Sequence, residues 1–187
     1  MTPHQVQNWH VRKPLARSRR GIVASQNRVA AEVGARMLAA GGNAVDAAVA
    51  TGFALAAVEP WNSGLGGVGF MLVYSAKQKR VAVVDFGPIA PLALDPSAYP
   101  LVGGGVTSHD LFSWPGVKED RNVHGPLSIA VPGHVDGLGL ALERFGTKKL
   151  AAVLKPAIEL AQAGIAVDWF LTLKVATMTK EIGRAHV

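Results

Sequence analysis

The chain contains no cysteine, which excludes disulfide bridges, a thiol nucleophile and thiolate-held metal centres together. Charge is scarce at 17% of 187 residues, and aromatics make up only 6%. With 49% of residues apolar, this balance excludes a self-repelling disordered chain and points to a globular core. The longest apolar run, 44–58, is too short to span a bilayer and carries Asp46. Residues 1–20 lack an apolar leader core, so they do not read as a secretory signal, and the location expected is cytoplasmic. They also lack acidic residues, while holding Arg12, Lys13, Arg17, Arg19 and Arg20. That basic arm supplies five of the six units of net positive charge; the remainder carries 14 basic against 13 acidic residues. Trp9 alone offers no series of stacking platforms, so neither a nucleic-acid nor a membrane partner is expected.

What the chain has in quantity is glycine, 21 residues, and proline, 11, which imply many tight turns between short elements. Gly21–Ser25 reads as a short buried strand. A helix over 30–40 follows, with Val33, Met37 and Leu38 on one face, closed by Gly41 and Gly42. Asn43 is placed to cap the next helix, with Asp46 three residues on. That helix is apolar on every side and is expected to be buried all round, with Ala47, Ala48 and Ala50 against neighbouring backbone. Glu59-Pro60 ends it.

Apolar runs at 70–74 and 81–86 flank the polar residues 77–80, which predicts a hairpin. Residues 92–127 read as an irregular excursion. Ser128–Val131 is a strand candidate, and a helix runs from Pro132-Gly133 to Phe145, stopped by Gly146. In the last amphipathic helix Leu150, Val153, Leu154, Ala157, Ile158 and Ala161 are expected to face inward. The order of elements fits an α/β layer with mainly antiparallel strands.

Gly64-Leu65-Gly66-Gly67-Val68-Gly69 follows a helix and opens a strand, the reverse of a dinucleotide cradle, so it reads as a close backbone crossing. The six histidines, His4, His10, His109, His124, His134 and His186, form no spaced pair and sit beside no carboxylate cluster, so no metal or cofactor is expected. His134, just after Pro132-Gly133, reads as a structural residue that caps or hydrogen-bonds. Ser63 is not on a strand-to-helix elbow and is a weak nucleophile candidate. Asp110, Glu119 and Asp120 read as solvated surface.

Taken together, Gly41-Gly42-Asn43-Ala44-Val45-Asp46-Ala47-Ala48, the glycine loop 64–69, the Pro132-Gly133 helix and Arg144-Phe145-Gly146-Thr147 resemble the N-terminal part of the γ-glutamyltransferase family, over roughly residues 9–176. The resemblance implies an α+β fold, part of the αββα sandwich of N-terminal-nucleophile hydrolases, with residues 21–181 as the N-terminal part of that domain. It implies a precursor that cleaves itself to free a threonine, whose α-amine serves as base for its own hydroxyl. That threonine and the oxyanion hole would lie beyond residue 187, so no catalytic residue is assigned here. The partners implied are a γ-glutamyl or related small amide and the missing C-terminal half, or small subunit. The chain alone would then be inactive; the alternative is a non-catalytic binding or structural subunit.

Family members carry, after Asp-Phe, an arginine that grips the substrate α-carboxylate. The matching segment is Asp85-Phe86-Gly87-Pro88-Ile89-Ala90-Pro91, with glycine at the arginine position. Gly87, Pro88 and Ile89 are thus the substrate-binding candidates. Loss of a buried bidentate contact costs about 2–5 kcal/mol, so glutathione is an uncertain substrate and the segment looks more like the acylase-like branch. Residues 182–187, Ile-Gly-Arg-Ala-His-Val, read as a translated read-through rather than natural sequence.

Overall fold

The computed structural model describes residues 15–103 and 114–179. The main elements are α1 (Arg28–Ala39), α2 (Ala44–Val58), α3 (Pro60–Ser63), β1 (Gly69–Ser75), β2 (Arg80–Phe86), α4 (His134–Phe145), α5 (Leu150–Ala163) and α6 (Trp169–Thr177). The helix starting at Asn27 and the corner after it show how local sequence sets local structure. Asn27 caps α1 by accepting from the Val29 and Ala30 amides. Gly41, at φ 77°, turns the chain left-handed. The Gly41 and Gly42 N–H groups then donate back to the Leu38 and Met37 carbonyls, both at 3.0 Å, so the end of α1 leaves these carbonyls satisfied. Asn43 follows at once as the cap of α2, in a reciprocal box with Asp46.

Around α2 the other helices assemble. Val45, Val49, Ala50, Phe53, Ala54 and Val58 bury into one core with Val33 and Met37 of α1, Leu138 and Leu142 of α4, and Val153 and Ala157 of α5. Val33, Val49 and Val153 are fully buried, each worth about 1.5–3 kcal/mol of transfer free energy. The small side chains of α2 let α1 approach until no room for a Cβ remains at Gly34 beside Thr51 and the Ala47 carbonyl. The all-round burial expected of α2 is incomplete, however: Ala44 and Ala48 are exposed, because only the extended chain at 20–25 runs past that side.

β1 and β2 pair antiparallel from Gly69↔Phe86 to Ser75↔Arg80, around a turn in which Lys79 has φ 50°. Alternation sends Met71, Val73, Val84 and Phe86 toward the helices. The opposite face carries Phe70, Leu72, Tyr74, Val81 and Val83, all more than half exposed. The arrangement is α+β: one helical layer against one face of a two-stranded sheet, a partial αββα sandwich.

Three other expectations are corrected. Gly21–Ser25 is extended but mostly exposed and pairs with no strand among the described residues; Val23 alone packs on the core. Ser128–Val131 makes one bridge, Val131 to Ile89, instead of a strand. Pro126 opens a 3-10 turn ending at Ser128 and Pro132 has no N–H to extend a ladder. In α5 the inward line is Val153, Leu154, Ala157 and Leu160, whereas Leu150, Ile158 and Ala161 face solvent, since the helix docks along the narrow seam with α2. Among the described residues no helix is long and apolar enough to cross a membrane.

Candidate functional site

Three stretches of chain that are far apart in sequence converge at the end of the hairpin. The Gly67 carbonyl, in the loop before β1, accepts from the Gly133 and His134 amides at 3.0 and 2.9 Å. The Ile89 carbonyl, beyond β2, accepts from the Val131 amide at 2.9 Å. Between them sits Phe86. Its backbone oxygen lies 2.8 Å from where a Cβ on Gly133 would stand, and its ring leaves no space for a Cβ at Gly137, one turn into α4. The start of α4 therefore rests directly on the residue preceding Gly87, and the glycine loop is the close backbone crossing expected from its order.

Gly87 is half-buried, and Pro88 and Ile89 are exposed. The Gly87 N–H donates to Asp85 Oδ1 at 2.9 Å. A side chain at position 87 would start 2.6 Å from Phe70 Cζ and 3.1 Å from Asp85 Oδ1. Phe70 stands directly across from Asp85 in the strand register. Residues 86–91 bring no charge and no side-chain donor. Arg80, the basic residue nearest before this segment in the chain, does not supply a cation here. It pairs with Ser75 at the far end of the hairpin, and seven strand residues at roughly 3.3 Å each put it about 23 Å from Gly87. Lys118 lies in a separate 3-10 turn, its amide bonded to the Pro100 carbonyl at 2.9 Å.

His134 packs edge-on between Phe53 and Phe86, with ring centroids 6.3 and 6.2 Å away. Burial lowers its pKa, against a smaller raising effect from a hydrogen bond to the Gly52 backbone, so the ring is held neutral. Its Nε2 is buried without a hydrogen-bond partner among the described residues. The imidazole is thus a packing element that orients Phe86.

A second constellation is structural. The Asp46 carboxylate, fully buried, accepts from Asn43 N–H at 2.7 Å and Thr147 Oγ1 at 2.6 Å on Oδ2. Its Oδ1 accepts from the Thr147 and Lys148 amides at 2.8 and 3.0 Å. Burial pushes this carboxyl up, but the four hydrogen bonds together outweigh it and hold the pKa below its ordinary value. Asn43 adds a bond from Nδ2 to the Phe145 carbonyl at 2.7 Å. The segments 43–46 and 145–148, both singled out in the sequence, are therefore one interlocked unit.

The remaining candidates scatter. Ser63 ends α3 in a helix-to-loop exit, and His124 is exposed. Glu119 has a partner after all, Arg121 at 2.8 Å. Asp120 is exposed, while His4, His10, His109, His186 and Asp110 fall outside the described residues. No group of three His, Cys, Asp or Glu among the described residues could hold a metal ion. Two clefts of about 580 and 670 Å³ lie elsewhere, one between the 20–25 segment and α2, the other between Glu59, Trp61 and α6. Phe70, whose ring lies beside Gly87, belongs to no motif that marks it in the sequence. The period-2 pattern places it on the face opposite Met71, but its approach to Gly87 depends on register.

The model of the gamma-glutamyltranspeptidase family matches residues 30–186. The chain belongs to that family. A glutathione hydrolase proenzyme of Bacillus subtilis (strain 168) is 34% identical over 164 residues, which are 88% of this chain and 26% of the relative. An acylase ACY 1 proenzyme of Pseudomonas sp. (strain SE83) is 35% identical over 180 residues, 96% of this chain and 31% of the relative. Among solved structures, the γ-glutamyltranspeptidase of Helicobacter pylori superposes with a TM-score of 0.77 at 32% identity, covering 89% of this chain and 44% of the other. This family member spans about a quarter to a third of the length of those two curated relatives. The likeness confirms the partial sandwich fold expected from the resemblance.

Proposed function

We propose that the chain is the N-terminal part of a self-processing amide hydrolase or acyltransferase acting on γ-glutamyl or related acyl amides, and that Gly87, Pro88 and Ile89 line its acyl pocket. The observation that carries this reading is the family match over residues 30–186. The convergence of Gly67, Phe86–Ile89 and Val131–His134 supports the placement of the pocket, because it fixes the backbone of 86–89 from both sides. The segment is an open shelf instead of a closed cavity, in keeping with a pocket whose other wall and nucleophile come from the rest of a longer protein.

In this reading a threonine hydroxyl outside the chain attacks the amide carbonyl carbon while its own α-amine takes the proton. The C–N bond breaks, the leaving amine takes up that proton, and water or an acceptor amine then cleaves the acyl ester. An oxyanion hole stabilises each tetrahedral intermediate. Residues 85–89 bind and orient the acyl group and take no part in proton transfer. Gly87, where the resembled family has arginine, points away from efficient use of glutathione and toward acylase-like substrates.

The test compares the isolated chain with the complete precursor on γ-glutamyl-p-nitroanilide and simple acyl-p-nitroanilides. The precursor is expected to cleave itself and then to release p-nitroaniline, whereas the chain alone stays at the buffer blank. Turnover by the isolated chain would sink the claim that its nucleophile lies elsewhere. A complete precursor inert toward every amide would sink the enzymatic reading.

A further inference from the structure

We propose that Phe70 sets the acyl preference of this site and selects uncharged, apolar acyl groups over carboxylate-bearing ones, a step that rests on the acyl pocket lying at Gly87–Ile89. The first observation is steric. With no side chain at 87, the Phe70 ring occupies the ground beside the Gly87 Cα: its Cζ and Cε1 lie 2.6 and 2.8 Å from an ideal Cβ there. Within this chain the ring is 61% exposed, and in the proposed pocket that face meets the acyl group. Its neighbours there are the exposed Pro88 and Ile89, which extend the apolar surface.

The second observation is electrostatic. The one charge carried by residues 85–91 is the Asp85 carboxylate, directly across from Phe70. Asp85 takes the Gly87 N–H at 2.9 Å and forms no ion pair among the described residues. Arg80, the cation nearest in sequence, is at the opposite end of the hairpin. A carboxylate at the end of an acyl chain laid along Gly87 would therefore meet a like charge and an aromatic surface, with no cation among residues 85–91 to answer it. A straight aliphatic acyl chain meets the same surface without an electrostatic cost and gains the contact area of the ring.

The experiment uses the complete self-processed precursor and three substrates: hexanoyl-, glutaryl- and γ-glutamyl-p-nitroanilide. The native protein is expected to favour hexanoyl over glutaryl in kcat/KM by at least about tenfold, the range that one buried apolar group commands. Phe70→Ala should shrink that ratio by about fivefold or more, chiefly through KM for the hexanoyl substrate, and Phe70→Leu should restore most of it. A purely structural role for the ring would lower all three substrates together and leave the ratio in place, and that result overturns the proposal. So does a native preference for either carboxylate-bearing substrate. Failure to cleave any amide overturns the enzymatic reading itself, and this proposal with it; turnover with a ratio indifferent to Phe70 overturns this proposal alone.

Discussion

Replacing Asp46 with asparagine keeps the shape of the side chain and removes one acceptor and the charge, and the four donors around it make the outcome calculable. Oδ1 serves the Thr147 and Lys148 amides, while Oδ2 serves the Asn43 amide and the Thr147 hydroxyl. An asparagine keeps its oxygen on the side with two amides. Its NH2 then faces the Thr147 hydroxyl, which can rotate to accept, and the Asn43 amide, which cannot. The substitution thus orphans one backbone donor and weakens two charge-assisted bonds, for a loss of about 2–3 kcal/mol. In equilibrium urea unfolding, with a slope of about 1–3 kcal/mol/M, that lowers the midpoint by about 1–2 M. The gap must also depend on pH. Hydrogen bonds hold the folded carboxyl below its unfolded value of 3.8 despite burial. The stabilisation is therefore fully present above that value and fades as pH falls through the folded pKa, where the native carboxyl too becomes neutral. A midpoint unchanged at neutral pH would refute the reasoning. So would a difference between native and Asp46→Asn that stays constant down to acid.

Ala47→Leu, at a site 2% exposed, should overpack the α1–α2 crossing and cost about 1–3 kcal/mol, whereas Ala48→Leu, on the exposed side of the same helix, should leave the melting temperature nearly unchanged; equal effects would contradict the assigned faces. Gly137→Ala drives a Cβ into the Phe86 ring and should destabilise by about 1–3 kcal/mol, read as a lower melting temperature. His134 is held neutral by burial, with its pKa below the ordinary imidazole value of 6.5, so its share of stability is present above that value and declines as pH falls through the folded pKa; an NMR titration midpoint at or above 6.5 would refute this. The isolated chain leaves Leu72, Tyr74, Val81 and Val83 uncovered on one sheet face and should bind a hydrophobic dye or self-associate, a result that a monodisperse, dye-silent solution would contradict.

Legibility in the sequence followed the range of the interactions involved. The corner Gly41–Asp46 could be read outright, since left-handed turns and capping boxes are decided within a few residues. The hairpin was equally plain, because its alternation and turn are local. What failed depended on partners. Gly21–Ser25 has the composition of a strand, but pairing needs a neighbouring strand, and none of the described residues provides one. Ala48 and Ile158 have core character and face outward because α2 and α5 are only partly covered. At the candidate site the segment 85–91 was visible as a motif, while the Phe70–Gly87 approach was not, because it requires the register Phe70↔Asp85. The Asp46–Thr147 bond spans 101 residues, a separation that no local pattern announces.

Phe86 sits among Gly69, Gly133 and Gly137, each of which would clash with it if it carried a Cβ. Every glycine leaves the unfolded chain more conformational freedom than alanine would, a debt of about 0.5–1 kcal/mol per position. The three together tax the native state by about 1.5–3 kcal/mol before any contact forms. What they return is stiffness. The Phe86 ring meets backbone at Gly69 and Gly137 and its carbonyl meets Gly133, so the exit of β2 has little freedom to pivot. The direction in which Gly87 leaves the sheet is thereby set by main chain on three sides, and substitutions at 87–89 can change the surface presented there without changing where it stands.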